Sequence, residues 1–181
     1  MVLTIPEIQT FLIRLLWGDY YQWGKITPVA TAYTSAGSVS RWITSNSANK
    51  SWNSGTDDAP VKTENDPCPL SYRVPTKTEW LGSISESTSS NILSPWATGT
   101  GDGTTKFDVA KIFVNNGNTL TFPSAGRRLY NDGSLTNRAR WGAYWSSTEN
   151  GSRDAYDFLI TETAADASVR HNGFSVHCIS N

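Results

Sequence analysis

Sulfur and charge are both scarce in this chain. Its 181 residues include two cysteines, one methionine and two histidines, and only 17% are charged. Cys68 and Cys178 lie far apart. Metal sites built on cysteine need closely spaced pairs, so that class is excluded. Bridged, the two cysteines would close a long loop, worth about 4–5 kcal/mol in the chain-entropy model. Unbridged, they would be buried free thiols, and the sequence leaves both readings open. A formal net charge of −1 sets up no strong field, which argues against nucleic acid or anionic lipid as partner. Long apolar runs are also missing. The stretch Phe11–Trp17 is interrupted by Arg14 and is far too short to insert in a membrane. It lacks the basic flank of a secretory signal. No glycine-rich phosphate loop follows a strand-like run.

What the chain has in quantity is Ser, Thr, Asn and Gly, with eight Trp and seven Tyr. The first group points to turns and loops, the second to rings that pin a loop-rich core or anchor a binding surface. The length fits one domain, residues 1–181, able to bury roughly 70% of its unfolded surface. Ile8 to Trp23 reads as a short helix or as a strand entering an aromatic cluster, since periodicity does not separate the two. In the polar stretch Thr27–Lys62, Trp42 and Trp52 read as packing beneath a long loop.

The clearest local signal is Val74-Pro75-Thr76-Lys77-Thr78-Glu79-Trp80-Leu81. Thr76 and Glu79 form a capping box, so a helix is predicted from Lys77, burying Trp80, Leu81 and Ile84. Ser85–Ser90 reads as its stop, followed by a loop around Gly99–Gly103. Asp108–Val114 and Thr119–Phe122 flank Asn115-Asn116-Gly117-Asn118, a hairpin signal. Asn131-Asp132-Gly133 and Glu149-Asn150-Gly151 are further turns. Tyr144-Trp145-Ser146-Ser147 reads as a core strand. Ala155–Thr161 alternates, with Tyr156, Phe158 and Ile160 on one face and Asp157, Leu159 and Thr161 on the other. Gly173–Ile179 reads as a final strand with Phe174, Val176 and Cys178 on one face. The predicted class is α+β, with short antiparallel strands, one or two helices and long loops.

Five segments occur in a recognisable order: Tyr20-Tyr21-Gln22-Trp23-Gly24-Lys25, Asn65-Asp66-Pro67-Cys68-Pro69, Tyr72-Arg73-Val74-Pro75-Thr76 with Glu79-Trp80, Tyr144-Trp145-Ser146-Ser147-Thr148, and Asn172-Gly173-Phe174-Ser175-Val176-His177-Cys178. Together they resemble the bacterial paralogous surface domains related to the sulfatase-modifying-factor branch of the C-type lectin fold. The C-terminal third resembles the variable proteins of diversity-generating retroelements. The likeness spans roughly residues 18–181. It implies a C-type-lectin-like fold in which 1–111 is scaffold and 112–181 combines scaffold strands with a variable, ligand-binding region. In such systems a reverse transcriptase copies a template with errors at adenines, and Asn codons so altered do not yield Lys, Gln or Met. None of these three occurs after Lys111.

Matched residue by residue, the resemblance implies a frame of Gly126, Arg128, Gly133, Ser134, Leu135, Gly142, Tyr144, Trp145, Ser146, Ser147, Ala155, Tyr156, Phe158, Arg170, Gly173, Phe174 and Val176. The implied display positions, and so the ligand-binding candidates, are Arg127, Leu129, Tyr130, Arg140, Trp141, Ala143, Arg153, Asp157, Leu159, Thr161, Asp166, Ser168 and His171. Tyr, Trp and Arg among them are the types that most often dominate binding energy. Two departures stand out. His177 replaces the Arg that usually precedes the final Cys. Trp141 cannot arise from the usual Asn codon, so either its codon differs or it belongs to the frame.

The function implied is recognition of a protein or cell-surface receptor by a display protein on a virion or cell surface, without catalysis or cofactor. A structural calcium ion stays open, with Asp57, Asp58, Asp66, Glu79 and Asp102 as oxygen donors, although no calcium-hand spacing and no paired lectin sugar motif occurs. Arg127, Arg138, Arg140, Arg153 and Arg170 are candidates for a basic site, with Arg138 read as solvated surface charge. The alternatives are a non-diversified adhesin of the same fold and a modifying-factor-type enzyme. The last would need paired cysteines late in the chain, where Cys178 stands alone and His177 is expected on the opposite strand face.

Overall fold

The computed structural model describes residues 17–87, 89–92 and 107–181. The expected element before Trp17, the loop around Gly99–Gly103 and the donor Asp102 lie outside them. In chain order the strands are β1 (Tyr21–Gln22), β2 (Tyr72–Arg73), β3 (Ser89–Ile92), β4 (Ala110–Asn115), β5 (Asn118–Pro123), β6 (Arg127–Arg128), β7 (Leu135–Thr136), β8 (Ala143–Asn150), β9 (Asp154–Leu159), β10 (Ala164–Val169), β11 (Gly173–Phe174) and β12 (Ile179–Ser180). One helix, α1 (Lys77–Ser85), lies among the described residues. The class is α+β with sheet predominating. Four small antiparallel sheets run in the orders β1-β11-β6-β7, β10-β9-β8, β12-β2 and β3-β4-β5.

Local chemistry places several elements where the sequence predicts them. The Thr76 hydroxyl accepts from the Glu79 N–H at 3.3 Å, and the Glu79 carboxylate accepts from the Thr76 N–H at 2.8 Å. This reciprocal cap satisfies two donors that the first helical turn leaves open, and it starts α1 at Lys77. Arg73 grips the same carboxylate in a two-pronged ion pair. Burial would raise the Glu79 carboxyl, but the bonds from Arg73 and Thr76 hold it below its ordinary value. At the β4–β5 turn, Asn116 and Gly117 take φ of 48° and 81°. Two consecutive left-handed residues are what a two-residue hairpin requires, and Asn-Gly supplies them at the least steric cost.

The core forms on both sides of β8 and β9. Toward α1, Tyr144, Phe158 and Ile160 join Trp80, Phe113 and Phe122. On the other side, Ala143, Trp145, Ala155 and Leu159 pack with Trp23, Trp52, Val74 and Phe174. Burying one such ring fully is worth about 1.5–3 kcal/mol. Trp52 is indeed buried beneath its loop. Trp42 is half-buried and donates to the Tyr130 carbonyl at 3.1 Å.

Four expectations are corrected. Leu81 is 40% exposed, because Trp80 and Ile84 alone turn toward the sheet. The Ser/Thr-rich stop after the helix already holds the start of β3, which pairs with β4 and extends the hairpin sheet. Gly173–Ile179 is not one strand: β11 pairs with β1 and β6, whereas β12 crosses to β2. Cys178 bonds to Cys68 between these two attachments, with a Cα–Cα distance of 5.8 Å. The bridge settles the open cysteine question. Arg138, finally, is buried. It donates to the Tyr20 hydroxyl at 3.1 Å and to the Ala32 carbonyl at 2.7 Å.

Arg128 and Arg170 are buried in the same manner. Arg128 donates to the Thr34, Ser35 and Gly133 carbonyls, and Arg170 to those of Ser47, Gly151 and Asp154. The planar five-donor fork suits this work, because it satisfies several loop carbonyls from one rigid head. Each arginine ties the long segment of residues 31–51 to the C-terminal strands.

Candidate binding surface

Cross-strand pairing fixes which candidate side chains share a face. Leu159 lies between Ala143 and Ala164, Asp157 between Trp145 and Asp166, and Ser168 beside Ala155. Directly paired residues point to the same side of a sheet. Ala143, Asp157, Leu159, Asp166 and Ser168 therefore occupy one face of β8-β9-β10. Trp141 packs against the cluster beneath it, edge-on to Phe174 at 6.0 Å between ring centroids. The Arg127 guanidinium lies 5.1 Å over the Trp141 ring. Seven of the thirteen display positions thus form one connected group.

Asp157 is the most perturbed member. It is 1% exposed, and among the described residues neither of its carboxylate oxygens receives a hydrogen bond. Burial pushes its pKa up to about 7, with the Asp166 charge adding to the rise and Ser168 and Arg127 opposing it. Ser168 faces the carboxyl from the neighbouring strand, but the geometry falls short of a hydrogen bond. The Arg127 Nε and the Thr161 hydroxyl are likewise buried without partners.

A second, smaller group surrounds His171. Its ring meets Tyr130 at 5.8 Å, and its Nδ1 lies 2.9 Å from the Asn46 side-chain oxygen. Burial and the nearby Arg153 charge lower its pKa, against the pull of Asp154. Trp42 braces this region beside Gly133, where a Cβ would come within 2.3 Å of the indole and φ is +74°. A side chain there would be blocked by both space and backbone. Trp42 and Asn46 are contributors that sequence reading missed. They lie in the distant polar stretch, and no local motif marks them.

Of the remaining candidates, Arg140 is exposed and Leu129 and Thr161 are half-buried, and among the described residues no side-chain hydrogen bond, ion pair or ring contact ties them to either group. Tyr130, Arg153 and Asp166 are exposed, and Arg127, Trp141, Ser168 and His171 are half-buried. Ala143, Asp157 and Leu159 are buried, which corrects the expectation that all thirteen are displayed. The alternation of β9 separates two faces, and both are covered. Trp141, Trp145 and Phe174 cover its second face as well.

The other candidate chemistries distribute differently. Asp66 accepts from the Cys68 and Val74 backbone N–H groups and from Lys62, which makes it a loop clamp. Asp57 accepts from Thr148 and Thr78. Among the described residues, no group of three or more His, Cys, Asp or Glu converges on a metal-sized site. The five arginines proposed as a basic site do not form one, since Arg138 and Arg170 are interior. The chain matches no protein-family model, no curated protein and no solved structure.

Proposed function

We propose that this chain is a ligand-binding display protein with a C-type-lectin-like fold, recognising a protein or cell-surface receptor through its C-terminal region. The observation that carries the reading is a contrast in burial. Of the seventeen frame positions fourteen are buried and none is exposed, whereas only three of the thirteen display positions are buried. A sorting of that kind is what a scaffold with interchangeable outer side chains requires, since exposed substitutions typically alter stability within about 0.5 kcal/mol. Connected aromatic, arginine and carboxylate groups around Trp141 supply the residue types of a binding patch. The disulfide supports an oxidising setting, in keeping with a virion or cell surface. The bridge disfavours the modifying-factor-type enzyme, because both cysteines are joined in it.

The test is a pair of displayed libraries. One randomises Tyr130, Arg140, Trp141, Arg153, Asp166 and His171; the other randomises Ala143, Asp157 and Leu159. The first is expected to stay folded and to yield binders when panned on unrelated proteins, and the second to lose most folded members. Equal loss of folding in both, or no new binder from the first, overturns the reading. The interior placement of Ala143, Asp157 and Leu159 favours a second reading, a static adhesin whose face does not diversify. An adenine-rich template repeat and a reverse transcriptase gene in the flanking DNA separate the two: their presence selects the diversified protein.

A further inference from the structure

His177 is the one ring of the α1-side aromatic cluster whose polar atoms have no assigned work. Its centroid lies 4.8 Å from Phe122, 5.5 Å from Tyr144 and 6.3 Å from Trp80. The polar atoms of its neighbours are engaged: Tyr144 donates to the Pro123 carbonyl at 2.6 Å and Trp80 to the Trp145 carbonyl at 3.2 Å. Among the described residues, no hydrogen bond reaches either ring nitrogen of His177. Burial lowers its pKa, so the ring is neutral near pH 7, with one nitrogen a donor and the other an acceptor.

The ring lines a cleft of about 190 Å³, together with Pro75, Trp80, Ser83, Leu120, Cys178 and Ile179. Among the described residues no charged side chain lines it, so the lining offers an ionic guest little to replace its hydration. The Ser83 hydroxyl, on the exposed side of α1, also lacks a hydrogen-bond partner. Apolar cavities of about 150 Å³ already admit a benzene ring. From the cleft's size, its uncharged lining and the unpartnered imidazole, we infer that it binds an uncharged single-ring aromatic molecule bearing a hydroxyl, a phenol. The ring would lie against Trp80, Pro75 and Leu120, and the hydroxyl would exchange hydrogen bonds with His177. None of the thirteen display positions lines this cleft, so the inference stands apart from the proposed recognition role.

The test uses the whole chain with its disulfide intact and two probes, 4-methylphenol and toluene. Binding is followed by equilibrium dialysis and by the imidazole NMR signals of His177. The phenol is expected to saturate one site and to bind roughly fivefold more tightly than toluene, the net gain typical of one hydrogen bond. In His177→Phe the preference for the phenol is expected to vanish. Ser83→Trp, a substitution on an exposed helix position, is expected to block both probes without lowering the melting temperature. The inference is overturned if neither probe saturates, if the two bind equally to the unaltered chain, or if folded Ser83→Trp binds them as before.

Discussion

Desolvation acts on Asp157 between two strands, with β8 and β10 flanking it in the sheet and Arg127 close enough to act on its charge. Its folded pKa of about 7 stands above the ordinary 3.8. A raised carboxyl favours folding only while it carries its proton. Its contribution is therefore fully present below about pH 4 and is lost progressively as the pH rises to about 7. The gap corresponds to about 4 kcal/mol. Asp157→Asn is expected to be more stable than the parent above pH 7 by up to about that amount, with the advantage shrinking toward pH 4. Urea unfolding of both proteins at pH 4, 6 and 8 checks it. Arg170 gives a second residue-scale expectation. Its fork reaches three carbonyls and lies 4.4 Å over the Trp23 ring. Lysine has no fork, so Arg170→Lys is expected to lose about 2 kcal/mol or more in the same assay. Neither residue's environment is legible in sequence. One of the carbonyls that receive Arg170 comes from distant Ser47, and no local pattern shows that the Asp157 face of β9 is covered.

At the scale of elements, local grammar was readable and its covering was not. The cap written in Thr76 and Glu79 and the turn written in Asn116-Gly117 each depend on neighbours within four residues, so both could be located before any fold was known. Thr76→Ala is expected to lower stability by about 1 kcal/mol, read as a shift of the urea midpoint with an unchanged slope. The period-2 pattern of residues 155–161 correctly put Phe158 and Ile160 together and Asp157 and Leu159 together. Alternation reports which side chains share a face, but not whether something lies over that face. The display role that the resemblance implies for Ala143, Asp157 and Leu159 fails for that reason: their face is covered. β3 escaped notice for a related reason: Ser89, Ser90 and Asn91 carry no strand pattern of their own and are held by pairing with β4.

At the scale of the whole molecule, the Cys68–Cys178 bridge closes a loop with a sequence separation of 110. A loop of that length is worth about 4–5 kcal/mol in the chain-entropy model, so reduction with dithiothreitol is expected to lower the unfolding free energy by about that much. The Cys68→Ala, Cys178→Ala variant should reproduce the loss without reductant. The same architecture has a consequence for biosynthesis. β1 pairs with β11 and β2 with β12, so the early strands have no partners until about 150 and 110 further residues have been added. At 5–20 residues per second, that is roughly 5–30 s during which Trp23 and Trp52 have each other but not Trp145 or Phe174 to cover them. Production of this protein should accordingly depend on holding chaperones, and slowing translation should lengthen the exposure and lower the yield.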